Sequence, residues 1–258
     1  MIKTITFGSL KGGTGKTSTL VLVARCLAAK GYKVLVIDLD LNNSTSFTFM
    51  PDNINEIDKN GRQHIAAALQ SDTLYNFAVP SNTKNIDLIR SSLYLVDLRT
   101  ISTNRLKNLI RFETEKSADS KYDYILIDQP PTYDNITLMA NEASDLIVTP
   151  VLLTQFDYNT SLFLRGKLKT ETSKYENWKL LINGFIESRK SLDDYVALFS
   201  SQFPNILKTR LPWTTQVKNC IDRRMLLGHA KENEKLRSAV CSLCSEITGI
   251  TVEPEEAF

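Results

Sequence analysis

The chain has 258 residues, 42% of them hydrophobic and 23% charged, an ordinary globular composition and long enough to bury a core without staples. No apolar run approaches the roughly 20 residues of a membrane span. The first residues enter a strand pattern rather than a secretory signal, and Cys26, Cys220, Cys241 and Cys244 are too scattered for a disulfide framework, so the expected location is cytoplasmic. The net charge of +2 is unevenly spread: residues 1–157 carry 16 basic and 17 acidic side chains, residues 158–237 carry 15 and 8, and residues 238–258 carry four acids. A basic third quarter suits a docking face for a polyanion, and equally a lysine-rich solvated surface.

Along the chain, Ile2 to Phe7 reads as a buried strand leading into a glycine-rich turn. From Lys16 to Lys30, Leu20, Val23, Ala24 and Leu27 recur at the i, i+3, i+4, i+7 spacing of one helical face, and Gly31 is a suitable stop. Lys33 to Asp38, Tyr122 to Asp128, Leu146 to Val151 and Lys179 to Phe185 are further apolar runs, with Asn85 to Arg90 a possible extra strand. Helical patterns fill 102–116, 134–143, 155–174, 191–202 and 230–247. Strands apolar on both faces imply a parallel sheet covered on both sides. The repeated β–α alternation implies a doubly wound, mostly parallel α/β sheet with helices on both faces. With no linker, repeat or low-complexity tract, residues 1–258 read as one domain. Residues 42–82, the least regular stretch, are expected to form a surface excursion marked by Pro51-Asp52-Asn53 and Pro80-Ser81-Asn82.

The decisive segment is Gly8-Ser9-Leu10-Lys11-Gly12-Gly13-Thr14-Gly15-Lys16-Thr17-Ser18. Leu10 stands where the standard G-x-x-x-x-G-K-[ST] pattern has its first glycine, so the loop is the variant K-G-G-T-G-K-T. Gly12, Gly13 and Gly15 let backbone amides, including that of Thr14, curl around phosphates. The start of the following helix adds a positive field. Lys16 is expected to reach the phosphates, and the Thr17 hydroxyl to coordinate Mg²⁺. Lying between an apolar strand and an amphipathic helix, the loop is a P-loop for a nucleoside triphosphate.

Two strands end in acids. Asp38-Leu39-Asp40 closes the second strand, with Asp40 placed to orient an attacking water and support the metal shell, and Asp38 open to a second reading as a strand-end turn acid. Ile125-Leu126-Ile127-Asp128 has the form of a Walker B strand, whose acid holds Mg²⁺ directly or through water.

The second lysine, Lys11, together with both acid-tipped strands, resembles the ParA/MinD group of deviant Walker-type ATPases over about residues 2 to 245. The resemblance implies an ATP- and Mg²⁺-dependent homodimer in which Lys11 reaches the partner's phosphates in trans, so that Lys11, Lys16 and Asp40 carry the catalysis. Asn183 falls where that family has an adenine-binding asparagine, and Pro212 lies near its other base-contacting loop. Leu41 and Asn42 depart from the family's Asp-x-Asp-Pro-Gln, and Gln129 departs from Asp-Thr-Pro-Pro, which bears on hydrolysis and switching. The acidic, proline-broken end, Ile250 to Phe258, differs from the basic membrane helix of the MinD branch, so no membrane partner is expected.

ParA-type members hold DNA non-specifically through basic residues in this quarter. Arg189, Lys190, Lys218, Arg223 and Arg224, with Lys208 and Arg210 nearby, are the candidates. With no room for a helix-turn-helix ahead of the first strand, operator-specific repression is not expected. The implied activity is a partition ATPase positioning a plasmid, chromosome or other cargo, stimulated by a cargo-bound protein of ParB type. Two other readings are a metal-cluster carrier using Cys241 and Cys244, which at i, i+3 also suit a packed helix face, and a regulatory module that holds ATP without hydrolysing it.

Overall fold

In the strand Val34–Asp38, Val34 and Val36 pack into one hydrophobic layer while Leu35 and Ile37 pack into another. Side chains alternate across a strand, so a fully apolar run is stable only where both faces of the sheet are covered. The computed structural model, which describes residues 2–98, 100–116, 120–224, 227–228 and 231–254, has that arrangement. Its strands are β1 (Lys3–Phe7), β2 (Val34–Asp38), β3 (Val79–Pro80), β4 (Ile86–Ile89), β5 (Tyr124–Asp128), β6 (Leu146–Val151), β7 (Trp178–Phe185) and β8 (Ile206–Pro212). They form one eight-stranded sheet in the order β3-β4-β2-β5-β1-β6-β7-β8. Every pairing is parallel except that of the short β3 with β4.

The helices are α1 (Lys16–Ala29), α2 (Ser44–Phe49), α3 (Ile54–Ile57), α4 (Ile65–Leu69), α5 (Arg105–Lys116), α6 (Asn135–Ala143), α7 (Gln155–Glu171), α8 (Ser191–Gln202), α9 (Gln216–Asp222) and α10 (Glu234–Thr248). One core layer joins Leu20, Val23 and Leu27 of α1 to Val240, Cys241 and Cys244 of α10. A second joins α4, α5 and α6 through Leu69, Leu106 and Met139. A third gathers Leu168 of α7 and Phe199 of α8 around Trp178. The expected doubly wound α/β sheet is the observed one.

Three expectations change. Residues 42–82 are not merely a surface excursion, because Phe49, Ile65, Ala68, Leu69 and Leu74 are buried. They form short elements that roof the β2–β4 side of the sheet. Residues 206–212 and 216–222, assigned no element from sequence, are β8 and α9. The last helix starts at Glu234 rather than 230, and position 230, like 255–258 of the acidic end, lies outside the described residues.

Candidate nucleotide site

The register places Phe7, Asp38 and Asp128 side by side on β1, β2 and β5, at the strands' carboxyl ends. This is the edge where open α/β sheets bind ligands. β1 passes there into the glycine loop, whose Gly13 and Gly15 have φ of 76° and 94°, left-handed values that glycine adopts without steric cost. Gly15 caps α1, so the first amides of the helix open toward the loop. A cavity of about 260 Å³ sits over it, lined by Gly12, Gly15, Lys16, Thr17, Asp40 and Pro131, with Gly13, Ser18, Asn42 and Ser44 also at its wall.

Lys16 is 6% exposed, with Nζ 3.5 Å from the Lys11 carbonyl. Burial pulls its pKa down, while Asp128 and Asp40 push it back up. Thr17 Oγ1 donates to Asp128 Oδ2 at 2.6 Å, and Thr45 Oγ1 donates to the same oxygen at 2.7 Å. The other carboxylate oxygen, Oδ1, is buried without a hydrogen-bond partner. An all-oxygen cluster with one unsatisfied carboxylate oxygen fits Mg²⁺. Thr45, which the sequence reading missed, is recognisable only in space.

The two acids of the second strand separate in role. Asp38 is fully buried and accepts from the amides of Ser46 (2.8 Å) and Asp40 (3.0 Å) and from the Ser46 hydroxyl (2.6 Å). It holds the chain that follows β2. Asp40 is half-buried, accepts from the Asn42 amide at 3.0 Å and lines the cavity. Burial raises the pKa of both Asp38 and Asp128, and the Asp128 charge adds to the rise at Asp38.

Lys11 turns back onto its own chain. Its Nζ lies 3.0 Å from Asp157 Oδ2 and 3.3 Å from Thr154 Oγ1 at the start of α7. Asp157 was not a sequence candidate. Gln129, the departure after Asp128, does not face the cavity. It is 3% exposed, its amide donates to Asn141 Oδ1 (2.7 Å) and to the Thr137 carbonyl (3.2 Å), and it fills the space a side chain on Gly8 would take.

Asn183 meets the loop, with Nδ2 donating to the Thr14 carbonyl at 2.7 Å. Pro212 stands opposite Phe185 in the β7–β8 pairing and lines a different cavity, with Lys208, Arg210 and Lys235. The next residue, Trp213, is 64% exposed and near Gly184.

The DNA candidates do not form one patch of free cations. Arg189, Lys190, Lys218 and Arg223 are exposed, Lys218 facing Asp222 at 3.9 Å. Arg224 is half-buried: its guanidinium pairs with Asp52 at 3.0 Å, donates to the Met50 carbonyl and lies over the Phe47 ring, tying α9 to the segment after α2. Cys241 and Cys244 are buried on the α10 face that meets Cys26, the packing that their spacing suggested.

Residues 2–174 match the family model described as AAA domain. Over 191 residues the chain is 31% identical to the sporulation initiation inhibitor protein Soj of Bacillus subtilis (strain 168), an alignment spanning 72% of each protein. A solved putative plasmid partition protein from Borrelia burgdorferi B31, bound to AMPPNP, superposes with a TM-score of 0.71 at 24% identity, covering 93% of this chain and 98% of that one. The ATP complex of a Cyanothece McdA variant superposes with a TM-score of 0.72 at 18% identity over 98% of both chains. At these identities the two structures speak for the fold.

Proposed function

Because this chain belongs to the ParA/MinD family of P-loop ATPases, we propose that it is a partition-type ATPase whose ATP-bound homodimer holds DNA and positions a cargo. The observation that carries the reading is the convergence of Lys16, Thr17 and Asp40 on one cavity at the N-terminal end of α1, with Asp128 buried behind it on the Thr17 hydroxyl and a second lysine, Lys11, at the start of the same loop. In this reading the amides of Gly12 to Gly15 and Lys16 bind the β- and γ-phosphates. Thr17 and Asp128 hold Mg²⁺, with Asp40 supporting its shell, and the ion when bound neutralises phosphate charge. Asp40 orients the attacking water. Lys11 leaves Asp157 and stabilises the partner subunit's phosphates as an arginine finger does.

Exposed Arg189, Lys190, Lys218 and Arg223 supply backbone contacts to double-stranded DNA, weak and salt-sensitive per subunit and reinforced by dimerisation. An activator of ParB type on the cargo stimulates hydrolysis and releases the DNA. A role of this class is supported by the Soj relatives, of which that of Treponema pallidum is described as a chromosome-partitioning ATPase. The test is binding to non-specific duplex DNA with ATP, with ADP and without nucleotide, across a salt series, for wild type and Lys11→Ala. Tight binding with ATP alone, weakened by salt and lost in the variant, is the expected result. Binding indifferent to nucleotide at low salt overturns the DNA reading.

A further inference from the structure

A cavity of about 740 Å³ lies far from the phosphate loop. It opens at the C-terminal end of α1, where Ala28, Ala29 and Gly31 form one wall. The 14 residues of α1 separate it from the phosphate loop by roughly 20 Å. Its volume falls in the range of small-molecule sites.

Its lining is cationic. Arg25, Lys84, Arg223 and Arg224 converge on it from three parts of the chain, against a single carboxylate, Asp52. Two of these guanidiniums are held in place. Arg25 is 3% exposed, with Nη1 on the Cys220 carbonyl at 3.2 Å and its plane over Phe49. Arg224 is fixed by Asp52, Met50 and Phe47 as described, yet its Nε is buried without a hydrogen-bond partner. Arg224 also has φ of 54°, a left-handed conformation that is unfavourable for a non-glycine residue.

Holding like charges together is unfavourable. Burial lowers the Arg25 pKa, and the charge of Arg224 lowers it further. The last carbonyls of α1 are partly taken up within the chain: Ala28 accepts from Asn85 Nδ2 (3.0 Å) and the Gly31 amide (3.0 Å), and Leu27 from the Tyr32 amide (3.2 Å). Asn82, Thr83 and Asn85 add polar groups to the rim.

We infer that this cavity is a second anion site, separate from the nucleotide loop, that takes a phosphate-bearing ligand through Arg25, Lys84, Arg223 and Arg224. Planar guanidiniums fixed by packing and a mobile lysine at the rim suit phosphate oxygens. The phosphate could come from a free nucleotide or from a nucleic-acid backbone. The inference goes beyond the DNA-partition reading and does not need it.

Calorimetric titration of the full chain carrying Lys16→Ala with inorganic pyrophosphate isolates the site, because the phosphate loop is then disabled. Binding should survive Lys16→Ala and weaken at least tenfold when Lys84→Glu and Arg223→Glu are added. Both residues are exposed, so an unchanged melting temperature certifies the fold. Lys107→Glu with Arg111→Glu, the same change of charge at exposed positions of α5, should leave it intact. A separate Arg224→Gln variant should also weaken it. Loss of all binding on Lys16→Ala, affinity unmoved by the Lys84 and Arg223 changes, or an equal loss in the Lys107/Arg111 control each overturns the inference. Displacement of pyrophosphate by a short duplex identifies a nucleic-acid backbone as the source, and displacement by AMP alone a free nucleotide.

Discussion

Lys11 and Asp157 are 146 residues apart in the chain, and their charged groups meet at 3.0 Å in the fold. Asp157 is 1% exposed, and its second oxygen, Oδ1, is buried with no hydrogen bond. A buried carboxylate with one cationic neighbour depends on that neighbour. The Lys11→Ala variant should therefore be less stable by about 1–3 kcal/mol, the lower end reflecting the 31% exposure of the lysine. Adding Asp157→Asn should recover most of the loss. Urea unfolding of the four members of this cycle is the check, and strictly additive effects would refute the pairing as a stabilising unit.

The same pair bears on assembly. In the proposed homodimer a lysine that acts on the partner's phosphates must first leave Asp157, so there the intramolecular pair would compete with dimerisation. Asp157→Asn should shift the ATP-dependent monomer–dimer equilibrium toward dimer, by several-fold in dissociation constant, as read by analytical ultracentrifugation with ATP. A shift toward monomer would mean that Asp157 serves the dimer instead.

Burial raises the pKa of Asp38 and Asp128 in the folded chain. The folded state then binds protons that the unfolded state has released, so stability falls as pH rises from the ordinary carboxylate range, about 4, toward neutrality. Without nucleotide or Mg²⁺, melting temperature should decline from pH 5 to pH 8, and Asp128→Asn should flatten the decline. Mg²⁺ needs the ionised carboxylate, so Mg²⁺–ATP should stabilise the protein more at pH 8 than at pH 5. Thermal scans at both pH values, with and without Mg²⁺–ATP, read both effects.

The parts of the site that could be read from sequence are those written in adjacent residues. The glycine loop, Lys16, Thr17 and the two acid-tipped strands follow from local order, because buried parallel strands leave unbroken apolar runs and phosphate loops need glycines in series. β8 was illegible because Lys208, Thr209 and Arg210 interrupt its apolar residues, as suits a strand at the sheet's edge with one open side. Phe49, Ile65 and Leu74 were read as surface because the elements carrying them are too short to show a period. Thr45 and Asp157 have no local signal. Nothing near Arg224 in the chain signals its contacts with Asp52, Met50 and Phe47.

Gly8 and Gln129 form a matched pair. A Cβ on Gly8 would lie 2.1 Å from Gln129 Oε1 and 2.9 Å from Cδ. The glutamine cannot simply swing away, because its amide is held by Thr137 and Asn141. Gly8→Ala should cost about 1–3 kcal/mol by overpacking, and Gln129→Ala in the same chain should restore at least half of it. Denaturant melts of the single and double variants decide the point, and a double variant no better than Gly8→Ala would contradict it.

Trp213 offers a direct readout of where a nucleotide base lies. The chain has two tryptophans, and Trp178 is fully buried, with Nε1 on Thr149 Oγ1 at 2.9 Å. Trp213 is 64% exposed, its amide bonds the Phe185 carbonyl at 3.1 Å, and its ring is near Gly184, next to the Asn183 that meets the phosphate loop. If the base lies on this side of the loop, ATP should change the tryptophan emission, whereas inorganic triphosphate, which has no base, should not. Trp213→Phe should remove the ATP response. Trp213→Ala should weaken ATP binding by roughly 5- to 100-fold, the loss of one aromatic–base stack worth about 1–3 kcal/mol. An emission change that persists in Trp213→Phe would instead report on Trp178 and place the base elsewhere.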